Sequence, residues 1–416
     1  MQIDYDIHGL VGIRLVDPST SDAAAVAKQL GPLQCPLERE PDIIVRFVKQ
    51  LPTPALCHVA LGNNGFTEDG FFILRSKKKA AKVKIAFDQI GKRCEIVCET
   101  GLAAVPLLMA LLNLTALKKG YVALHASAFV HNGTGVLVTG WAKGGKTEAL
   151  LAFAAQGAQY VGDEWILLGG DGEKMCGVPE NIRLWDWHLG YLPHLRGEMK
   201  RETRWLFKAI HWLDKLQQQT ANAGLGKIFP MKMLREALPA LKRQLNVAVK
   251  PQTIFGDKCG PFAARPEKVF LMMGHDAPDI EVQPIDPFVI ARRMLASIHY
   301  EQLPFVEHYL AFKFAFPDHK NEFIEHAHLL QTGILCRALL GKEAYVVRHP
   351  YPVSLPALYE SMRPYCETPV KRSPHSRNSN RQSNFSHLHH GTNTNTEVTY
   401  EEITSDHLCS EIDKKF

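Results

Sequence analysis

The segment that most constrains the fold is a glycine-rich loop between an apolar stretch and a helical one. Residues 140–147 read Gly-Trp-Ala-Lys-Gly-Gly-Lys-Thr and fit the pattern GxxxxGK[ST]. Residues 136–139 before the loop are predicted to form a strand, and residues 146–155 a helix. A further strand is expected over residues 160–168, and this order of elements predicts an α/β core.

A loop of this kind has a specific chemistry. Its glycines allow backbone amides to curl around a phosphate, Lys146 would neutralise the terminal phosphates, and the Thr147 hydroxyl would reach Mg²⁺. A glycine-rich turn that binds nothing is the alternative, which the flanking strand and helix disfavour. The nucleotide-binding residues are therefore predicted to be Gly140, Trp141, Ala142, Lys143, Gly144, Gly145, Lys146 and Thr147.

Two carboxylates, Asp163 and Glu164, lie side by side within the apolar run 160–168. Buried carboxylates are costly unless they are paired or bound to a metal. One of the two could hold Mg²⁺ while the other takes a proton from a reacting hydroxyl, and a solvated strand end is the alternative. His125 lies in the extended run 121–130, and a histidine in such a place, taken alone, is more often a structural residue than a catalytic one.

Taken together, these residues resemble a known catalytic core. His125, the loop that begins 15 residues later, Glu148 and the acidic pair follow the order and spacing of the HPr kinase/phosphorylase family. The P-loop core of that family is similar to the phosphoenolpyruvate carboxykinase fold. The resemblance is strong over residues 121–168 and weaker over a longer stretch. Residues 1–100 do not match the family's N-terminal domain, so HPr as a substrate, the phosphorylase reaction and the hexamer are not carried over.

The resemblance implies roles for individual residues. Lys146 would contact the ATP phosphates, His125 would lie near the transferred phosphate, and Glu164 would take the position of the proton acceptor, beside Asp163. The family has aspartate at that position, so which of the two carboxylates is the base stays open. Glu180 begins a segment similar to the family's later Mg²⁺-binding motif, with a surface turn as the alternative. The predicted catalytic residues are Glu164, Asp163, His125 and Lys146, and the predicted metal ligands are Thr147, Asp163 and Glu180.

The domain organisation follows from composition along the chain. We expect a small, mostly β domain over residues 1–100 and a P-loop catalytic domain of the HPr kinase type over 101–366. Within the latter, 195–249 would be a basic helical insertion or lid. Residues 367–416 are rich in Ser, Asn, Thr and His and are predicted to be a disordered tail.

Charge and cysteine content limit the classes of partner and the compartment that the protein can have. The net charge of +5 over 416 residues is too small to mark a dedicated nucleic-acid binder. Residues 195–243 carry eleven Lys or Arg against four acidic residues, which suits either an acidic or phosphorylated partner or a solvated helical face. Nine cysteines without a CxxC pair, no evident signal peptide and no apolar run long enough to span a bilayer predict a cytoplasmic protein without a membrane partner.

The sequence therefore predicts an ATP- and Mg²⁺-dependent kinase that phosphorylates a hydroxyl of a protein or a small molecule. A regulatory module that binds nucleotide without phosphotransfer is the main alternative, because the interior of the loop is unusual. An ATP-coupled partner of a biosynthetic complex is a third candidate. The identity of the acceptor and homo-oligomer formation stay open.

Overall fold

The computed structural model describes residues 1–59, 62–74, 81–193 and 246–367, together with the single positions 195, 205 and 212. Most of the predicted basic insertion and the predicted tail beyond Glu367 lie outside the described residues. The chain divides into two compact units. One comprises Met1–Glu180 and the chain from Lys258 onward, and the other is Asn181–Asp257.

Both units contain helices and strands, and the second unit is the smaller. Within the described residues the helices are α1 Thr20–Leu30, α2 Leu108–Lys118, α3 Lys146–Ala154, α4 His188–Tyr191, α5 Pro251–Phe255, α6 Pro287–Ala315, α7 Glu322–Leu339 and α8 Leu355–Cys366. The strands are β1 Gln2–Ile7, β2 Val11–Val16, β3 Ile43–Val48, β4 Asn64–Thr67, β5 Gly70–Ile73, β6 Val83–Ile85, β7 Cys94–Glu99, β8 Tyr121–His125, β9 Ser127–His131, β10 Thr134–Gly140, β11 Gln159–Gly162, β12 Glu164–Gly169, β13 Met175–Pro179, β14 Ile182–Trp185, β15 Asn246–Val249, β16 Ala263–Ala264, β17 Lys268–Gly274, β18 Glu281–Pro284 and β19 Glu343–His349.

The N-terminal residues form a seven-stranded sheet with the order β1-β2-β3-β7-β6-β5-β4. Every second residue of β3 and of β7 is buried, which is the pattern of a strand with one face on a core. The segment also contains helix α1, which begins with a capping box between Ser19 and Asp22.

The loop of residues 140–147 leaves a second, six-stranded sheet with the order β11-β9-β10-β17-β19-β18. Strands β10, β17 and β19 are parallel, and the register pairs Gly140 with Met272 and Gly274 with His349. Their carboxyl ends therefore meet at one edge, where ligands bind in open parallel sheets. A four-stranded sheet, β16-β13-β12-β8, lies in the same unit, so the predicted mixed α/β class is confirmed.

Two segments expected to be single strands each divide between sheets. Residues 121–130 form β8 in the four-stranded sheet and β9 in the six-stranded one, and Asp163 separates β11 from β12 in the same way. Residues Pro287–Ala315 form the single long helix α6, which contains Pro304. Proline removes one backbone hydrogen bond, and burial of Ile298 and Phe305 on either side holds the helix continuous.

The smaller unit contains an antiparallel pair of strands. In β14 and β15, Ile182 pairs with Val249 and Trp185 with Asn246. The last four residues of the stretch expected to be helical, Asn246–Val249, are thus a strand, because they complete this pair. In the part of the chain that the structure describes, no helix combines the length and the apolar character that crossing a membrane requires.

Candidate phosphate-binding and phosphotransfer site

The glycine-rich loop has the predicted strand–loop–helix context, since β10 ends at Gly140 and α3 begins at Lys146. Gly145 caps the helix with φ of 104°, a conformation that favours glycine, and an added Cβ would overlap the imidazole of His349. Gly140 is also constrained, because its Cβ would lie 2.9 Å from the Met272 carbonyl oxygen. Glycines at both positions therefore let the loop turn tightly against the ends of β17 and β19.

Lys146 is folded back over this loop. Its side chain is 5% exposed, and Nζ donates hydrogen bonds to the carbonyl oxygens of Trp141 at 2.8 Å and Gly140 at 3.4 Å. Burial lowers the pKa of Lys146, although Asp163 and Glu164 act in the opposite direction. The carbonyls hold the ammonium group at the loop, where a phosphate would replace them as its partner.

Asp163 joins the loop to the two sheets. Its carboxylate is buried and accepts hydrogen bonds from the Ser127 hydroxyl and, at 3.1 Å, from the Thr147 hydroxyl. Burial and the charge of Glu164 raise the pKa of Asp163 to about 6, against the opposing effect of both hydroxyls and Lys146. The structure thus brings together Thr147 and Asp163, two of the three predicted metal ligands.

Glu164 has a different environment from its neighbour. Its φ is 71°, which is rare for a residue with a side chain, and its side chain is 25% exposed. Glu164 Oε2 lies 3.0 Å from His125 Nε2, while His125 Nδ1 lies 2.6 Å from Glu301 Oε1. Burial lowers the pKa of His125, but the hydrogen bonds with Glu164 and Glu301 outweigh it and raise the pKa overall.

The third predicted metal ligand, Glu180, directly follows the strand that pairs with the acidic residues. Pro179, at the end of β13, pairs with Glu164 and forms a bridge with Asp163. The described residues contain no group of three or more His, Cys, Asp or Glu side chains that could hold a metal ion. The hydroxyl of Thr147 and the carboxylate of Asp163 nevertheless fit Mg²⁺, which P-loop proteins bind through such a pair and the phosphate oxygens of the nucleotide.

Four residues of the site escaped the sequence reasoning as functional candidates. Ser127 and Glu301 contact predicted catalytic residues, and His349 Nε2 lies 3.0 Å from the Gly144 carbonyl oxygen. Tyr300 packs on Trp141 of the loop, with ring centroids 4.9 Å apart. Ser127 shares the strand parity of His125, which is a weak signal. Glu301 lies 176 positions from His125, so no local pattern could have indicated it.

A scan against protein-family models and a search of the curated proteins both found no match for this chain. The residues of the site bring a lysine, a threonine hydroxyl and two carboxylates to the carboxyl ends of the parallel strands of the six-stranded sheet.

Proposed function

We propose that this chain is a cytoplasmic, Mg²⁺- and ATP-dependent phosphotransferase with a P-loop core of the HPr kinase and phosphoenolpyruvate carboxykinase type. It would transfer the γ-phosphoryl group of ATP to a hydroxyl of a protein or small-molecule acceptor. The observation that carries the proposal is the contact between Thr147 of the loop and the buried Asp163, with the His125–Glu164 pair directly beside it. Neither a bare glycine turn nor a solvated strand end would require this arrangement.

The loop and its helix would bind the nucleotide. Backbone amides around Gly144 and Gly145 and the ammonium group of Lys146 would surround the β- and γ-phosphates. Mg²⁺, held by Thr147 and Asp163, would neutralise charge on the phosphates. Glu180, next to the partner strand of the acidic pair, is the residue we propose as a further ligand.

Proton transfer would use the more accessible carboxylate. Asp163 is already engaged by two hydroxyls and lacks exposure, whereas the side chain of Glu164 is partly exposed. The acceptor oxygen would attack the γ-phosphorus, the bond to the β,γ-bridging oxygen would break, and ADP would leave. The hydroxyl proton would pass to Glu164, while His125, with its raised pKa, would supply positive charge near the transferred group.

The test begins with purified protein, γ-labelled ATP, Mg²⁺ and a cell extract as the source of acceptors. We expect label in a protein or a small molecule, and we expect Lys146→Met to abolish transfer. Lys268→Met is the matched control, because Lys268 is also buried but lies toward the opposite end of β17 from Met272, the residue paired with Gly140. Label transfer by Lys146→Met at the rate of the unmodified protein would refute the proposal.

A regulatory nucleotide-binding module is the second candidate. Lys146 is held by the carbonyls of its own loop, and the loop carries the bulky Trp141 on Tyr300, so binding could serve as a signal without transfer. Tight binding of MgATP without label transfer to any fraction of the extract would favour this candidate.

The acceptor of the proposed phosphotransferase would be acidic or phosphorylated if the basic residues of 195–243 serve to dock it.

A further inference from the structure

Glu301 lies on helix α6, far along the chain from the other residues of the site. Its Oε1 is 2.6 Å from Nδ1 of His125, whose Nε2 faces Glu164. The side chains of Glu301 and His125 are 22% and 14% exposed, so this contact is largely screened from solvent. The three groups thus form a chain, carboxylate–imidazole–carboxylate, that ends at the proposed proton acceptor.

The helix holds Glu301 firmly. Residues on either side of it, Ile298 and Phe305, are buried in the core, and the preceding Tyr300 packs on Trp141 of the glycine-rich loop. One turn of α6 therefore contacts both the loop and the histidine. A group placed on a rigid element keeps its geometry better than one on a free loop.

The hydrogen-bond partner of one imidazole nitrogen determines the protonation and the direction of the other nitrogen. A histidine held at Nδ1 by a carboxylate carries its proton there and keeps its ring in one orientation. Without such a partner the ring can turn over and exchange its two nitrogens. Here the loss of Glu301 would leave only the contact between Nε2 and Glu164 to hold the ring.

We propose that Glu301 is a positioning residue for the phosphotransfer reaction, which holds the His125 ring so that Nε2 faces Glu164 at the transferred phosphoryl group. This inference rests on the proposed function and deepens it. Glu301 itself does not touch the substrate in this role. It acts through His125, as the carboxylate beside a catalytic or metal-bound histidine does in other enzymes.

The kinetic test compares Glu301→Ala and Glu301→Gln in the label-transfer assay at varied MgATP. For Glu301→Ala we expect kcat to fall by about 10- to 100-fold with KM for MgATP changed by less than about twofold. Glu301→Gln should lose less, because its amide oxygen still accepts a hydrogen bond from Nδ1. Glu307→Ala is the control, because Glu307 is an exposed glutamate on the same helix and is expected to leave kcat unchanged.

The spectroscopic test records imidazole nitrogen resonances of the full chain by NMR, with His125→Gln used to assign the His125 signals. We expect Nδ1 of His125 to be protonated in the unmodified protein and its signal to change in Glu301→Ala but not in Glu307→Ala. Unchanged kcat in Glu301→Ala, or a His125 signal that does not respond, would overturn the positioning role while leaving the proposed function standing. Absence of transfer by the unmodified protein would refute both.

Discussion

Asp163 and Glu164 are neighbours in the chain, yet their carboxylates face different surroundings. Asp163 is 2% exposed and accepts hydrogen bonds from Ser127 and Thr147, whereas Glu164 is partly exposed and pairs with His125. The positive φ of Glu164 turns the backbone between them and separates the two side chains. Two adjacent acidic residues in an apolar run predict a functional pair of carboxylates. The sequence cannot predict which of the two contacts the glycine-rich loop.

This difference predicts separate kinetic effects for the two carboxamide variants. Asp163→Asn removes the charge beside Thr147, so we expect weaker binding of MgATP and little change in the binding of ATP without Mg²⁺. Glu164→Gln removes the proton acceptor, so we expect kcat to fall by about 10²- to 10⁴-fold with KM for MgATP nearly unchanged. Binding titrations with and without EDTA, together with label-transfer rates, measure both. The reverse pattern would assign the base to Asp163.

At the scale of elements, the site lies where strands leave one sheet for another. His125 ends β8 and Ser127 begins β9, while Asp163 separates β11 from β12. Hydrophobic periodicity predicts one continuous strand for β8 and β9 together, and another for β11 and β12 together. The pattern along a chain does not indicate which sheet each half joins. Local sequence pattern closely predicted strand β10, the glycine-rich loop and helix α3. The contribution of α6 was not predicted, because it depends on a contact between residues 125 and 301.

The glycine-rich loop gives an element-scale prediction. Gly145→Ala should weaken nucleotide binding at least tenfold, because the new Cβ needs both a left-handed backbone and the space of the His349 ring. Gly133→Ala is the matched control, since Gly133 also has a positive φ, of 81°, but no atom within 4 Å of an added Cβ. Gly133→Ala should lose about 1–2 kcal/mol of unfolding free energy, Gly145→Ala should lose more because of the overlap with His349, and only Gly145→Ala should weaken binding of a fluorescent ATP analogue. Equal nucleotide affinity in the two variants would contradict the role of this loop.

At the scale of the whole molecule, the seven-stranded, six-stranded and four-stranded sheets share one apolar core. Buried residues of this core come from β2, β3 and β7, from helix α2, and from strands β8, β12 and β17. The predicted boundary near residue 100 therefore follows a change of sheet within a continuous core. Composition could not show this, because strands on both sides of such a boundary have the same apolar character.

A polar contact at the edge of this core predicts how the molecule responds to acid. Asp42, just before β3, accepts hydrogen bonds from the Gly12 amide at 2.7 Å, from Lys119 Nζ at 2.6 Å after helix α2, and from Arg39 at 2.9 Å. Burial raises the pKa of Asp42, but these hydrogen bonds and the charge of Lys119 outweigh it, so the pKa lies below its usual value of 3.8. The ionised form of Asp42 therefore stabilises the folded state.

Because the folded-state pKa is depressed, this stabilisation is complete above about pH 4 and is lost as pH falls through the folded-state value. We expect Asp42→Asn to lower the free energy of unfolding by about 1–3 kcal/mol at pH 7 and by progressively less below pH 4. Denaturant titrations at pH 7, 4 and 3 measure the difference. Asp17→Asn, which removes an exposed carboxylate just after the other end of β2, is the control and should change stability little at pH 7. A deficit in Asp42→Asn that stayed constant down to pH 3 would show that packing, and not the ionised carboxylate, accounts for its effect.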